Sequence, residues 1–333
     1  MKKIAVLMGG TSSERKVSLE SGHNVAEALA SLGKYEVVPI DLKEESLDAL
    51  PDGIDAAYIA LHGGWGENGG VQAALNARKI PYTGPGVLAS QIAMDKVKTK
   101  MKLEMNNVPT AAWGLASPDT AASPLPLPVV VKPPCDGSSI GISKVSKAED
   151  WVAARDKAFG VGSMGGMGAV GGMGAMGSMG AAGGMGAVGE IGDLSTETHS
   201  TSSTSSTNST SSTHSTILVE EFVPGREFTV GVIDGEALPA IEIVAKGGWY
   251  GYEEKYLSNE TRYEFLGDVS DDSDVSDVGS KEASSLSRPS RPSRRPNGLP
   301  ASNGELEKTL QTLAVKAYKA VGCRGVTRVD FRV

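Results

Sequence analysis

The chain has 333 residues, 40% of them apolar and 22% charged, and a formal net charge of −8. That length allows two or three domains with sizeable cores. The acidic balance argues against nucleic acid or an anionic membrane as a partner, and no apolar stretch approaches the length of a membrane span. The two cysteines, Cys135 and Cys323, form neither a CxxC pair nor a metal-ligand spacing and suit a reducing compartment. The apolar run after Lys2-Lys3 stops at Gly9-Gly10, too short for a signal peptide, so the cytoplasm is the expected location.

Residues 4–8 form a short apolar strand, and Gly9-Gly10 follows at once. Ser18 is placed to cap a helix in which Val25, Leu29 and Leu32 recur at helical spacing. Further strands fit Tyr35 to Ile40, Ala56 to Leu61 and Ile80 to Thr83, with a helix over about 68–78. This α/β alternation with glycine turns predicts a small parallel sheet carrying a site at its carboxyl edge. Residues 87–106 read as one helix, stopped by Asn106-Asn107-Val108-Pro109.

After a turn-rich connector from Pro118 to Pro128, Val129-Val130-Val131-Lys132 reads as a strand. It enters a polar glycine loop, Asp136-Gly137-Ser138-Ser139-Ile140-Gly141, and a helix fits Ala148 to Ala158. Residues 160–192 are rich in Gly, Met and Ala and hold six of the eleven methionines; residues 195–216 are almost pure Ser and Thr. Such compositions cannot offset the entropy of ordering a chain, so 160–216 reads as one disordered insertion. Strands then fit 217–222, 228–233 and 239–244. Residues 267–303 carry an acidic block and then an Arg-Pro-Ser block, read as a solvated loop. A helix fits 305–321, with Leu306, Leu310, Leu313 and Ala317 on one face, and Val326 to Val333 alternates as a strand. Because the sequence stops inside that strand, residues beyond it are expected to be missing.

Three groups could carry chemistry. Lys132 ends an apolar strand beside a glycine loop, an arrangement that can close over phosphates although no GxxxxGK[ST] is present. The segment Val219-Glu220-Glu221-Phe222-Val223-Pro224-Gly225-Arg226-Glu227 ends a strand in two carboxylates, turns, and returns through a third. Such carboxylates suit ribose hydroxyls or an amino group, or stand solvated on an edge hairpin. Arg328 and Asp330 share a strand face by period 2. They suit phosphate and Mg²⁺, or a simple salt bridge between themselves.

Together these segments resemble the D-alanine–D-alanine ligases of the ATP-grasp superfamily. The resemblance runs through Gly9-Gly10-Thr11-Ser12-Ser13-Glu14-Arg15, Ala60-Leu61-His62-Gly63, Tyr82-Thr83-Gly84-Pro85-Gly86 and Met94-Asp95-Lys96. It continues through Val131-Lys132-Pro133, Gly137-Ser138-Ser139-Ile140-Gly141, Val219-Glu220-Glu221-Phe222, Gly225-Arg226-Glu227-Phe228-Thr229 and Tyr252-Glu253-Glu254-Lys255-Tyr256. It closes on Gly322-Cys323-Arg324-Gly325 and Arg328-Val329-Asp330.

The resemblance implies an α/β fold: a small parallel-sheet N-terminal domain over 1–95, then an ATP-grasp domain pair. The central subdomain would cover 96–159. The C-terminal one would cover 217–333, interrupted at 267–303 and incomplete at its end. It implies ATP and Mg²⁺, with Mn²⁺ as a substitute, D-alanine as substrate, and a homodimer. Lys96, Lys132 and Lys255 would meet the phosphates, Glu220, Glu221 and Val223 the adenine, and Glu227 the ribose. Glu14 and His62 would serve the first D-alanine, and Glu14 would link through Ser138 to Tyr256. Arg328 would stabilise the acyl phosphate, and Asp330 would bind Mg²⁺. The family's next segment carries a glutamate and an asparagine of the metal site, then a Pro-Gly and a serine for the second substrate. Its absence from the sequence implies little or no ligase activity for the chain as printed. Asp136 also stands where the family often has glutamate. Competing readings are a D-alanine–D-lactate or D-alanine–D-serine ligase, against which Lys255-Tyr256 argues, and an inactive nucleotide-binding remnant.

Overall fold

A computed structural model describes residues 1–135, 137, 141–160, 215–245, 260–266 and 302–333. Most of the insertion at 160–216, nearly all of the charged block at 267–303, and the residues Ser138, Lys255 and Tyr256 lie outside the described residues.

Strand β1 (Lys2–Gly9) is the centre of a parallel sheet, flanked by β2 (Tyr35–Leu42) and β3 (Ala56–Ile59). Its Ala5-Val6-Leu7-Met8 run is apolar throughout because both faces of the sheet are covered. Val6 and Met8 pack against Ala26 of helix α1 (Arg15–Ser31). Ala5 and Leu7 face Val71 and Leu75 of helix α2 (Gly70–Ala77). The strand expected over 80–83 is reduced to one parallel bridge, Ala57 with Tyr82.

Ser18 does not cap α1, because the helix begins three residues earlier. It is fully buried in the first turns, where its hydroxyl accepts from the Gly9 amide at 2.9 Å and donates to the Ala60 carbonyl at 2.7 Å. One side chain thus ties the exits of β1 and β3 to the helix. Gly22 lies one turn further on, and a Cβ there would overlap the Met8 side chain. The close approach of helix and sheet therefore requires glycine at this position despite its poor helix propensity.

The single helix expected over 87–106 is two helices, α3 (Val87–Met94) and α4 (Lys96–Met105). Asp95 breaks the path with extended backbone, and its carboxylate accepts from the amides of Val97 and Lys98. Capping preference here overrides a continuous polar–apolar pattern.

Two antiparallel sheets follow. The first has the order β4 (Trp113–Ala116), β7 (Ile217–Glu221), β5 (Val129–Lys132), β6 (Ser143–Val145). Val129, Val131, Ile217 and Val219 pack on Trp151, Ala154 and Ala158 of helix α5 (Trp151–Ala158). Period 2 then sends Val130, Lys132, Leu218 and Glu220 to the other face. The second sheet has the order β11 (Arg262–Phe265), β10 (Ile241–Val244), β8 (Glu227–Ile233), β12 (Val326–Arg332), with β9 (Glu236–Ala237) pairing β8. Phe228, Val230 and Val232 pack on helix α6 (Asn303–Val321), which leaves Glu227 and Thr229 on the opposite face. The apolar stripe of α6 drifts from the expected one: Ala314 and Tyr318 are buried and Leu313 is only partly so.

Ser18→Ala tests the junction of β1, β3 and α1. It leaves a buried amide and a buried carbonyl unpaired, and should lower the unfolding free energy by about 2 kcal/mol. Urea denaturation measures this. A loss below roughly 0.5 kcal/mol would mean that the two groups find other partners.

Candidate active site

The two antiparallel sheets face each other across a cavity of about 400 Å³, lined on one side by Lys100, Val130, Lys132, Glu220 and Glu221, and on the other by Glu227, Asp330 and Arg332. Glu220 is its centre. Strand register sets it beside Val130 on β5 and Trp113 on β4, with its carboxylate on the face turned from α5. One oxygen pairs with the Lys100 ammonium at 2.6 Å and the other with the Lys132 ammonium. Burial alone would push the Glu220 carboxyl up, but Lys132 and Lys100 overcome this and hold it below its ordinary value. Burial also pulls the Lys100 ammonium down, against the attraction of Glu220.

Lys100 was not singled out in the sequence. It comes from α4 and also donates to the Thr110 hydroxyl at 2.7 Å and the Ala111 carbonyl at 3.0 Å. Its spacing from Lys96 was the available signal, since residues four apart share a helix face. The Lys96 side chain does not line the cavity. Its amide donates to the Pro134 carbonyl at 2.9 Å, tying the start of α4 to the loop that leaves Lys132.

Across the cleft, β8 and β12 pair Thr229 with Asp330, and the Thr229 hydroxyl donates to that carboxylate at 2.8 Å. Arg328 donates to the other Asp330 oxygen at 2.8 Å, which is the same-face pair expected from period 2. Glu227 accepts from Arg332 at 3.1 Å, and Arg332 also donates to the Val223 carbonyl at 2.6 Å. Arg332 further lies over the Phe222 ring, 5.3 Å from its centroid, with Lys144 at 3.6 Å. Arg332, Phe222 and Lys144 were all missed in the sequence, because each acts through a partner distant along the chain.

A second cavity, of about 270 Å³, lies where the N-terminal sheet meets β12. Ile59, His62, Gln72, Ser90, Thr327 and Arg328 are among its walls. Three buried polar atoms of these walls have no partner among the described residues: Gln72 Oε1, Thr327 Oγ1 and Arg328 Nε. His62 meets the Ser21 hydroxyl at 3.2 Å through Nε2, and its Nδ1 lies 3.9 Å from the Glu67 carboxylate. Glu14 is the residue before α1, and its carboxylate lies so close to Gly63 that a Cβ there would be 2.8 Å from it. Gly63 has φ of 66°, so that position admits glycine on both counts. The structure therefore brings His62 and Arg328 to one cavity, with Glu14 beside it at Gly63. It brings Lys132, Glu220, Glu221, Val223, Glu227 and Asp330 to the other.

A pH titration tests the central carboxylate. Its folded value lies below the ordinary 4.5, so its contribution to stability is complete above the ordinary value and is lost as pH falls through the lower one. Glu220→Gln removes this acid limb. Between about pH 6 and pH 3 the urea midpoint should fall more steeply for the parent than for the variant. Parallel curves would mean that Glu220 has no depressed carboxyl.

Two family models match the chain. One, described as the D-ala D-ala ligase N-terminus, covers residues 3–50, and the other, the D-ala D-ala ligase C-terminus, covers residues 102–163 and 196–280. The D-alanine–D-alanine ligase of Glaesserella parasuis serovar 5 is 34% identical over 336 residues, aligned with 99% of this chain and 82% of its own length. That of Syntrophotalea carbinolica is 35% identical over 335 residues, with coverage of 100% and 82%. The crystal structure of the ligase from Bacillus anthracis superposes with a TM-score of 0.64 at 26% identity, covering 100% of this chain and 83% of that one. Sequence likeness over nearly the whole chain and likeness of fold agree, and the chain belongs to the D-alanine–D-alanine ligase family.

Proposed function

We propose that the chain joins two D-alanines at the expense of ATP, with nucleotide in the cleft between the antiparallel sheets and the first D-alanine in the cavity at β12. The observation that carries this reading is the position of β12. It lends Arg328 to one cavity and Asp330 to the other, two residues or roughly 6–7 Å apart along the strand. A phosphoryl group held in one cavity and a carboxylate held in the other can then meet at a single strand.

In this reading Lys132 takes the phosphates, and Lys96, off the cavity wall at the start of α4, keeps its family role toward them. Glu220, Glu221 and Val223 border the adenine, and Glu227 takes the ribose. Glu14 holds the ammonium of the first D-alanine, His62 sits near that substrate, and Lys255, Ser138 and Tyr256 keep the family roles given above. A carboxylate is a poor acyl donor. Its oxygen attacks the γ-phosphorus, ADP leaves, and the carboxyl becomes an acyl phosphate. The amine of the second D-alanine then attacks the carbonyl carbon, loses a proton, and phosphate departs. Arg328 offsets the charge that collects on the transferring group and on the tetrahedral intermediate.

Among the described residues, no group of three or more His, Cys, Asp or Glu could hold a metal ion. Magnesium takes much of its octahedral shell from water and phosphate, so Asp330 fits as one protein ligand. When bound, the ion would neutralise phosphate charge. No described helix is long and apolar enough to cross a membrane. The domain reading stays as the sequence suggested: a substrate domain over 1–95, and ATP-grasp subdomains over 96–159 and 217–333.

Calorimetry with ATP tests the nucleotide half. Lys132→Ala removes a charge-assisted contact and should weaken binding by roughly 10- to 100-fold. Equal affinity for parent and variant would remove Lys132 from the site. Phosphate release with dipeptide detection tests the chemistry, and measurable turnover by the parent chain would set aside the expectation of little activity drawn from its sequence. Arg328→Ala should lower kcat by about 100-fold or more while ATP affinity changes little. Unchanged kcat would separate β12 from the reaction.

A further inference from the structure

We infer that Lys100 is a positioning residue that acts through Glu220: it remains as the counter-ion of the buried carboxylate when Lys132 leaves to hold a nucleotide phosphate. The inference rests on the reading of the cleft as an ATP site.

Three facts carry it. An ammonium has three N–H donors, and those of Lys100 are directed to Thr110, Ala111 and Glu220 at 2.6–3.0 Å. Its side chain is 6% exposed, so it is fixed and closed to a ligand. Lys132 has the opposite character. Its side chain is 26% exposed at the cavity wall, and Glu220 is its one partner among the described residues.

Charge arithmetic then gives the two lysines different tasks. The buried group of Lys100, Glu220 and Lys132 carries one net positive charge. If Lys132 swings to a phosphate, Glu220 and Lys100 stay behind as a neutral, hydrogen-bonded pair. Without Lys100, the same swing would strand a buried carboxylate with no cation, which proteins avoid at high cost. Glu220 would then compete with the phosphate for Lys132. Among the described residues that line the cleft, the one further cation is Arg332, and it is paired with Glu227. Glu104, the other acidic group acting on Lys100, already accepts from the Trp113 indole at 2.7 Å.

The test compares ATP with adenosine, which lacks phosphates, by calorimetry on the full chain. Lys100→Gln keeps a hydrogen-bonding side chain without the charge. It should weaken ATP about tenfold and adenosine less than about twofold, whereas Lys100→Arg should keep both within about threefold of the parent. If Lys100→Gln melts before binding can be read, the pair Glu220→Gln and Glu220→Gln with Lys100→Met replaces it. With the carboxylate gone, removing Lys100 should then cost ATP no more than it costs adenosine. Equal weakening of ATP and adenosine by Lys100→Gln would reduce Lys100 to a wall support, and unchanged ATP affinity would remove it from the site. In the replacement pair, a loss confined to ATP would overturn the inference. A parent chain that binds no ATP would overturn the reading of the cleft, and this inference with it.

Discussion

The site depends on a single buried carboxylate held between two ammonium groups. Glu220 is 8% exposed, and a charge so placed is tolerable only when its oxygens are paired. Meeting that condition requires three separate elements. β7 must present the carboxylate, β5 must end in lysine beside it, and α4 must lie across both at the depth of its Lys100 side chain. The break at the Asp95 cap serves this placement. A continuous helix from 87 would keep one axis, whereas restarting at a capped Lys96 gives α4 its own direction, with its first amide tied to the Pro134 carbonyl.

The second constraint is on β12. Its apolar positions Val329 and Phe331 pack with the core under α6, so Arg328, Asp330 and Arg332 share the other face, Asp330 and Arg332 at the cleft and Arg328 at the second cavity. The pairing with β8 then matches Asp330 to Thr229 and Arg332 to Glu227. Asp330 and Arg332 are thus fixed by cross-strand neighbours, whereas Arg328 lies opposite Gly231 and pairs with Asp330 on its own strand. Arg328 keeps one buried nitrogen unpartnered among the described residues. An unsatisfied guanidinium N–H is costly in a finished interior and useful where an anion is to be received.

Local patterning made most of the framework legible in the sequence. Runs such as Val129-Val130-Val131 and Ile217-Leu218-Val219 announced strands, and Gly9-Gly10 announced the turn after β1. Alternation correctly put Arg328 and Asp330 on one face. The misreadings have a common cause. Ser18 looked like a cap because serine often is one, yet its hydroxyl takes the Gly9 amide and reaches the Ala60 carbonyl, 42 residues further along the chain. Lys100 looked like any lysine in a lysine-rich helix, and only its contact with Glu220, 120 residues later, makes it different. The roles of Ser138, Lys255 and Tyr256 came from family likeness alone, and those residues lie outside the described part of the structure.

This division between local and distant information bears on how the site works. A pair of opposite charges in an interior contributes little net stability, since desolvation offsets attraction. Two cations on one carboxylate are harder still to justify as a folding device, because the second adds repulsion as well as attraction. The arrangement makes sense where one cation is needed elsewhere for part of the time. Of the two, Lys132 is the one at a strand end, beside a glycine loop and on the cavity wall, while Lys100 is enclosed on all its donors. The fold has therefore given the same chemical group two environments on one carboxylate, one closed and one open. With the cleft read as a nucleotide site, an acidic group that looks structural by its burial joins the proposed anion-binding machinery by its choice of partners.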